Sequence, residues 1–327
     1  MLRAESSKNT TSIPAIIQQN ISLADKNWFA TGGAAKFFCE PTTPQEFQQA
    51  LQFANEHKLL LFILGAGANI LIADEGFDGL VIRPKLTALV QEPWDQQYEL
   101  LTAGAGVQLD DLIEYCLAHN LSGLEEFSGI PGTVGGAVYI NLHYFEFLLD
   151  QFLVSAQIIE KDTGVIKTVD PSWFDFGYNQ STLLKENHFL LSATFKLKKI
   201  NPEEIAYARG RKKEIIRHRA ARYPQKGTCG SFFRNFHEHE VTLESNGKKM
   251  IYVAYYLDKI GVKGALQVGG ATVSHQHANM LVNRGNATSA DIIQLARTMQ
   301  KLVFDQFGIL PQPECRLVGF KEYPLLK

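Results

Sequence analysis

Leu64-Gly65-Ala66-Gly67-Ala68-Asn69-Ile70-Leu71-Ile72-Ala73 is the stretch on which the fold turns. The apolar run before it, Leu59 to Leu64, is short enough for a buried strand and empties into a turn carrying two glycines. Glycine lets backbone N–H groups close around an anion because no Cβ blocks the approach. A Rossmann fingerprint would need G-x-G-x-x-G opening a helix, yet the third glycine is missing and Ile70 to Ala73 continues as a strand. A Walker loop fails as well, since no Gly-Lys-Ser/Thr follows. A phosphate site at this turn belongs to some other fold.

Two further glycine segments occupy the same half of the chain, Gly104-Ala105-Gly106 and Gly129-Ile130-Pro131-Gly132-Thr133-Val134-Gly135-Gly136. Each alone reads as a tight turn; three in one half favour a phosphate cradle. Around them the elements alternate. Thr43 is placed as N-cap of a helix with Pro44 at N1 and Glu46 closing a capping box, running to about His57. Leu100 to Ala103 reads as a strand, Leu109 to Asn120 as a helix, and 154 to 197 as strands with turns at Asp162-Thr163-Gly164 and Pro171. The class is α+β.

The 327 residues suggest about two domains. Lys plus Arg total 32 against 34 Asp plus Glu, a net charge of -2, which gives no overall cationic field for nucleic acid or an anionic membrane. The apolar run from 59 to 73 is broken by glycines and is shorter than the roughly 20 residues a membrane helix needs. The start of the chain has no apolar h-region, so a cytoplasmic location is expected. Cys39, Cys116, Cys229 and Cys315 form no C-x-x-C pair and read as reduced thiols. His237-Glu238-His239 and His275-Gln276-His277 lack a third ligand at zinc spacing, and no metal is expected.

Residues 1 to 20 read as a loosely ordered tail. From Asn201-Pro202 to Lys226 the composition shifts to eight basic residues against three acidic ones. A domain boundary is placed near 200, giving portions 21–200 and 201–327. The basic stretch has helical length; it is either a solvated face, or Arg217, Arg219 or Arg222 meets a nucleotide phosphate. The last long helix is placed from Thr288 or Ser289 to Gly308, with Ile292, Leu295, Met299, Leu302 and Val303 on one face.

A collinear series of strings carries a resemblance. It comprises Asn27-Trp-Phe-Ala-Thr-Gly32-Gly33, Leu64 to Leu71, Gly76-Phe-Asp-Gly79, Gly104-Ala-Gly106, Gly123-Leu-Glu125, and Gly129 to Ala137 with Asn141. In the second half it continues through Gly230-Ser-Phe-Phe-Arg-Asn235, Gly269 to Ser274, His277-Ala-Asn279, Val282-Asn283 and Pro313-Glu314-Cys-Arg316. In this order the chain resembles the UDP-N-acetylenolpyruvoylglucosamine reductases, in the shorter of that family's two types.

The resemblance implies an FAD-binding domain of the vanillyl-alcohol-oxidase type, built of two α+β subdomains and followed by an α+β substrate-binding domain. It implies FAD and NADPH as cofactors, a UDP-sugar substrate, and a monomer or weak homo-oligomer. Leu64, Gly65, Ala66, Gly67, Ala68, Asn69, Ile70, Gly106, Ile130, Pro131, Gly132, Thr133, Gly135, Gly136 and Ala137 would hold the FAD. Ser231 would protonate the intermediate and Glu314 would stabilise or relay protons to it. Asn235, Arg222 and His277 would bind substrate, and Tyr178 and Asn179 would stand at the reacting end.

Two departures from the family pattern accompany this. Position 179 is Asn where the family has Arg, so two neutral donors replace a guanidinium. At 142 to 147, Leu-His-Tyr-Phe-Glu-Phe replaces a small, glycine-containing run and should reshape the rim of the flavin pocket. A flavin oxidoreductase of the same fold with a different substrate, and a non-catalytic nucleotide-binding relative, stay open. From the residues alone Ser231 is a turn serine, and Glu314 is either a buried carboxyl with a raised pKa or a strand-edge charge.

Overall fold

The computed structural model describes residues 13–327. Of the expected tail, residues 1–12 lie outside the described residues. The remainder is ordered: Ile17 is buried, and Gln18–Ser22 pairs antiparallel with Ala34–Cys39.

The first half contains two α+β layers. Gln18–Ser22, Ala34–Cys39, Phe77–Ile82 and Leu60–Ile63 form a four-stranded mixed sheet in that order. Helix α1, Pro44–Glu56, buries Phe47, Ala50, Leu51 and Ala54, the i, i+3, i+4, i+7 stripe of an amphipathic helix. Thr43 caps it, its Oγ1 accepting from the Glu46 N–H at 3.2 Å. The Glu46 carboxylate turns instead to the N–H of Thr42, at 2.6 Å.

The second layer is a six-stranded antiparallel sheet. Its order is Ile166–Val169, Leu153–Glu160, His188–Lys199, Tyr98–Gly104 and Leu89–Pro93, with Leu121–Ser122 also paired to His188–Lys199. Because side chains alternate along a strand, Leu101, Ala103, Ala193, Phe195 and Leu197 share the buried face. They pack against Leu112 and Ile113 of α2 (Leu109–Ala118) and Val134 and Val138 of α3 (Val134–Tyr139).

Helix α4, Pro202–Arg222, opens the basic stretch but packs on the first half. Lys212 Nζ lies 2.7 Å from carboxylate oxygens of both Asp110 and Glu114. Arg211 grips Glu126 through Nε at 2.9 Å and Nη2 at 2.8 Å, the bidentate fork of an Arg–carboxylate pair.

In the second half, α5 (Val253–Lys259) and α6 (Ser289–Phe307) pack with a three-stranded sheet of Gln267–Val268, Ala271–Val273 and Leu281–Asn283. Thr288 caps α6 by accepting the Asp291 N–H at 3.1 Å, and Gly308 ends it at φ +69°. Ile292, Leu295, Met299 and Val303 are buried as expected, whereas Leu302 is 38% exposed. The two halves are laced together. Arg316–Val318 pairs in parallel with Ile70–Ile72, the strand leaving the first glycine turn, and Phe29 and Leu71 lie in the second-half core.

Candidate functional site

The three glycine segments meet. A Cβ on Gly65 would stand 2.8 Å from Thr133 Oγ1, and Gly67, at φ +69°, lies so close to Lys26 that a Cβ would come within 2.5 Å of its carbonyl oxygen. Gly135 N–H donates to Ala105 O at 2.9 Å, and Leu109 N–H to Gly132 O at 3.0 Å. Hence 64–70, 104–106 and 129–137 form one surface. Among the described residues, none of the N–H groups of Gly65 to Asn69 donates to a protein acceptor. The Asn69 Oδ1 is buried and unpartnered. Unspent donors and an orphaned polar atom in a glycine cradle fit a bound diphosphate, and these residues fit FAD.

Ser231 and Glu314 come together through their neighbours. Phe232 N–H donates to Asn279 O at 2.8 Å, Phe233 N–H to Asn279 Oδ1 at 3.0 Å, and Asn279 Nδ2 to Phe233 O at 2.7 Å. From the other side Glu314 N–H donates to Phe232 O at 2.8 Å and Arg234 N–H to Gln312 O at 2.9 Å. Ser231 precedes and Glu314 opposes the same residue, Phe232. Burial lifts the Glu314 carboxyl to about 7. Half-buried and desolvated, Glu314 is closer to the buried carboxyl than to the strand-edge charge. Cys229 and Cys315 flank the site, their thiols directed at the carbonyls of Gly230 and Arg316, and burial pushes the Cys315 thiol up.

Tyr178 reaches across from the first half. Burial raises its hydroxyl pKa and the Glu314 charge adds to this, while a hydrogen bond with Asn235 acts the opposite way. The residue as a whole is 58% exposed, so its hydroxyl end is the desolvated part and its ring forms the rim. Gly177 and Gln180 exchange backbone hydrogen bonds at 3.1 and 3.3 Å, leaving Tyr178-Asn179 at the tip of a tight turn. Asn179 sits at φ +53°, where Asn is among the tolerated side chains, and its Oδ1 is buried without a partner.

His277 accepts the Asn279 N–H on Nδ1 at 3.2 Å, linking it to the Ser231 loop. Burial holds its pKa below the usual histidine range; Asp258 opposes this, and Arg222 and Lys263 reinforce it. Arg222 therefore belongs to the His277 cluster. Arg217 is spent on Glu214 at 2.9 Å. Arg219 donates through Nε to Gly129 O at 3.0 Å and lies 5.7 Å from the Tyr144 ring and 5.1 Å from the Tyr223 ring.

Sequence reading assigned no role to Asn279, the joint that holds the segment after Ser231, although its position inside a matched string could have signalled it. Nor did it single out His143, whose ring lies 4.6 Å from that of Tyr178.

Residues 35–170 match the family model of an FAD binding domain. Fold and cradle together define the class as an FAD-binding flavoprotein built on two α+β layers. Residues 223–318 match the model of the UDP-N-acetylenolpyruvoylglucosamine reductase C-terminal domain. The chain is 35% identical over 293 residues to the UDP-N-acetylenolpyruvoylglucosamine reductase of Trichormus variabilis, covering 89% of this chain and 83% of that one. It is 34% identical over 319 residues to that of Acaryochloris marina, covering 95% and 98%. The crystal structure of the enzyme from Thermus caldophilus superposes with a TM-score of 0.72 at 27% identity, over 92% of this chain and 99% of that one. The chain belongs to the UDP-N-acetylenolpyruvoylglucosamine reductase family.

Proposed function

We infer that this protein is an FAD-dependent reductase that uses NADPH to convert UDP-N-acetyl-3-O-(1-carboxyvinyl)-glucosamine to UDP-N-acetylmuramate, in peptidoglycan precursor synthesis. The observation that carries the reading is that Glu314 is held against Phe232, the residue next to Ser231, with Tyr178 reaching toward it from the cofactor-binding half.

The reaction places a hydride on one carbon of an enol ether conjugated with a carboxylate, and a proton on its neighbour. When bound, FAD would supply the redox chemistry, hydride transfer from NADPH and on to the substrate. The remaining work falls to this chain. Leu64 to Ile70, Gly106 and Ile130 to Ala137 hold the cofactor. Ser231 Oγ donates the proton; a serine is a weak acid, and its position beside the reacting carbon offsets that. Glu314, kept partly protonated near neutral pH by burial, stabilises the intermediate or returns the proton to Ser231. Tyr178 and Asn235 orient the reacting end, and Arg222 and His277 hold the anionic remainder of the substrate.

The proposed division is an FAD-binding portion from 21 to 200 and a substrate portion from 201 to 327, with α4 bridging back onto the first. Among the described residues no helix is long and apolar enough to cross a membrane. The four cysteines are free thiols, in keeping with a reducing, cytoplasmic compartment; the chain acts as a monomer or weak homo-oligomer.

An anaerobic visible spectrum tests the reading. The FAD-loaded protein should bleach with NADPH and regain its absorption when the enolpyruvyl UDP-sugar is added. A protein that cannot be loaded with FAD would sink it. Bleaching without recovery would favour a flavin oxidoreductase acting on another substrate, the reading motivated by Asn179 and residues 142–147.

A further inference from the structure

The two departures from the family pattern are neighbours in space. His143-Tyr144 forms a two-residue strand paired with Phe147-Leu148. Asn141 pins this hairpin: its Nδ2 donates to Asp150 Oδ2 at 3.1 Å and to Gly177 O at 3.5 Å, and its Oδ1 accepts the Asp150 N–H at 3.2 Å. The arrangement presses His143 against Tyr178, with ring centroids 4.6 Å apart at 46°. Tyr178 in turn contacts Asn235 and senses Glu314.

An enolpyruvyl substrate brings a carboxylate to this cluster, and the cluster has no cation for it. Burial alone sets the Glu314 carboxyl, and no Lys or Arg acts on Glu314 or Tyr178 among the described residues. The nearby guanidinium groups are engaged elsewhere. Arg316 donates to the Tyr139 hydroxyl at 2.8 Å and pairs with Glu186, and Arg219 is tied to Gly129 O. His143 is the uncommitted base on the rim: among the described residues neither a charged group nor a hydrogen-bonding side chain influences it.

We propose that His143 receives the carboxylate of the enolpyruvyl group, taking up one proton from solvent as the anion binds and serving as the cation that Asn179 does not provide. This rests on the reductase reading above. In the free protein burial holds the imidazole below its usual pKa, so it is neutral near pH 7 and no unpaired cation is buried. A docked carboxylate reverses that balance, because an opposite charge at hydrogen-bond distance favours the imidazolium. The other titratable groups linked to the ring are Tyr178 on the facing turn with Glu314 beyond it, and Tyr144 on its own strand with Arg219 of α4 beyond; Asp150 meets the hairpin through Asn141. Of these, Glu314 can also take up a proton on binding, so the test separates the two.

The test is calorimetry of the oxidised, FAD-loaded protein with the enolpyruvyl UDP-sugar, in buffers of different ionisation enthalpy from about pH 6 to 9, together with stopped-flow bleaching by NADPH. His143→Gln should weaken substrate binding roughly 10- to 100-fold near pH 7, as loss of one charge-assisted hydrogen bond predicts. It should weaken binding of the sugar more than it slows bleaching by NADPH, and remove the His143 share of proton uptake, a share that persists in Glu314→Gln. Asn179→Arg, with His143 in place, should flatten the pH dependence of binding, and combined with His143→Gln it should restore affinity. Unchanged affinity and proton uptake in His143→Gln overturn the proposal, as does failure of Asn179→Arg to alter the pH dependence. If reduced wild-type flavin is not reoxidised by this sugar, the reductase reading falls and takes the proposal with it.

Discussion

Thr133 Oγ1 lies where a Cβ on Gly65 would approach within 2.8 Å, while also capping α3 by accepting the Gly136 N–H at 3.3 Å. Two glycine turns from separate parts of the chain therefore share one hydroxyl, and the cradle's shape depends on the absence of a side chain at 65.

Gly65→Ala should push Thr133 off its cap and weaken FAD binding roughly 10- to 100-fold, the scale of about 1–3 kcal/mol for overpacking. Gly67→Ala meets a backbone carbonyl and must also hold φ at +69°, so it should lower the thermal midpoint of the FAD-free protein too. Flavin titration and melting curves read the two effects, and undiminished FAD affinity in Gly65→Ala would remove 64–70 from the cofactor site.

Ser231→Ala should divide the two half-reactions. Bleaching by NADPH proceeds at the wild-type rate, while reoxidation by the enolpyruvyl UDP-sugar slows by about 10²–10⁴-fold, the usual contribution of a placed acid. Stopped-flow absorbance measures both, and equal slowing of both halves would argue for a structural serine.

Glu314 should impose a pH dependence on stability. Its folded-state pKa of about 7 lies above the ordinary 4.5, so between these values the folded protein holds more protons than the unfolded chain. That contribution is fully present below about pH 4.5 and is lost as pH rises through about 7. Glu314→Gln removes the loss, and its stability relative to wild type should rise by up to roughly 3 kcal/mol between about pH 5 and 8. Urea unfolding across that range checks it; a pH-independent difference would mean that Glu314 ionises like a surface carboxylate.

Asn279→Ala should cost about 2–4 kcal/mol, because both polar groups of Phe233 lose their buried partner. The same change lets the Ser231 loop drift from Glu314, so reoxidation should slow more than bleaching by NADPH. Denaturant midpoints and half-reaction rates, compared in one preparation, distinguish this from simple loss of stability.

Much of this was legible locally. The caps at Thr43 and Thr288, the stop at Gly308 and the strand after Gly67 all follow from neighbours within four residues, where backbone hydrogen bonding and φ preferences act. The exit from the glycine turn into a strand excluded the Rossmann and Walker alternatives. The order of the matched strings carried the family and FAD, and nominated Ser231 and Glu314 as the proposed reacting residues.

The remainder depends on residues far apart in the chain. Helix α4 reads as a solvated basic face until Asp110, Glu114 and Glu126 meet Lys212 and Arg211 across a packed interface. The Glu314 pKa is a property of what surrounds it, since desolvation is set by folded packing and not by Pro313 or Cys315 beside it in sequence. His143 and Tyr178 touch only because a hairpin pinned by Asn141 folds onto a turn from another part of the chain. Sequence alone determined the elements, the cradle's chemistry and the family, because these rest on local periodicity, glycine and ordered motifs. Which acid is desolvated, which cations are already paired and which base lies against Tyr178 were decided by tertiary structure, because burial and charge pairing exist only once distant segments pack.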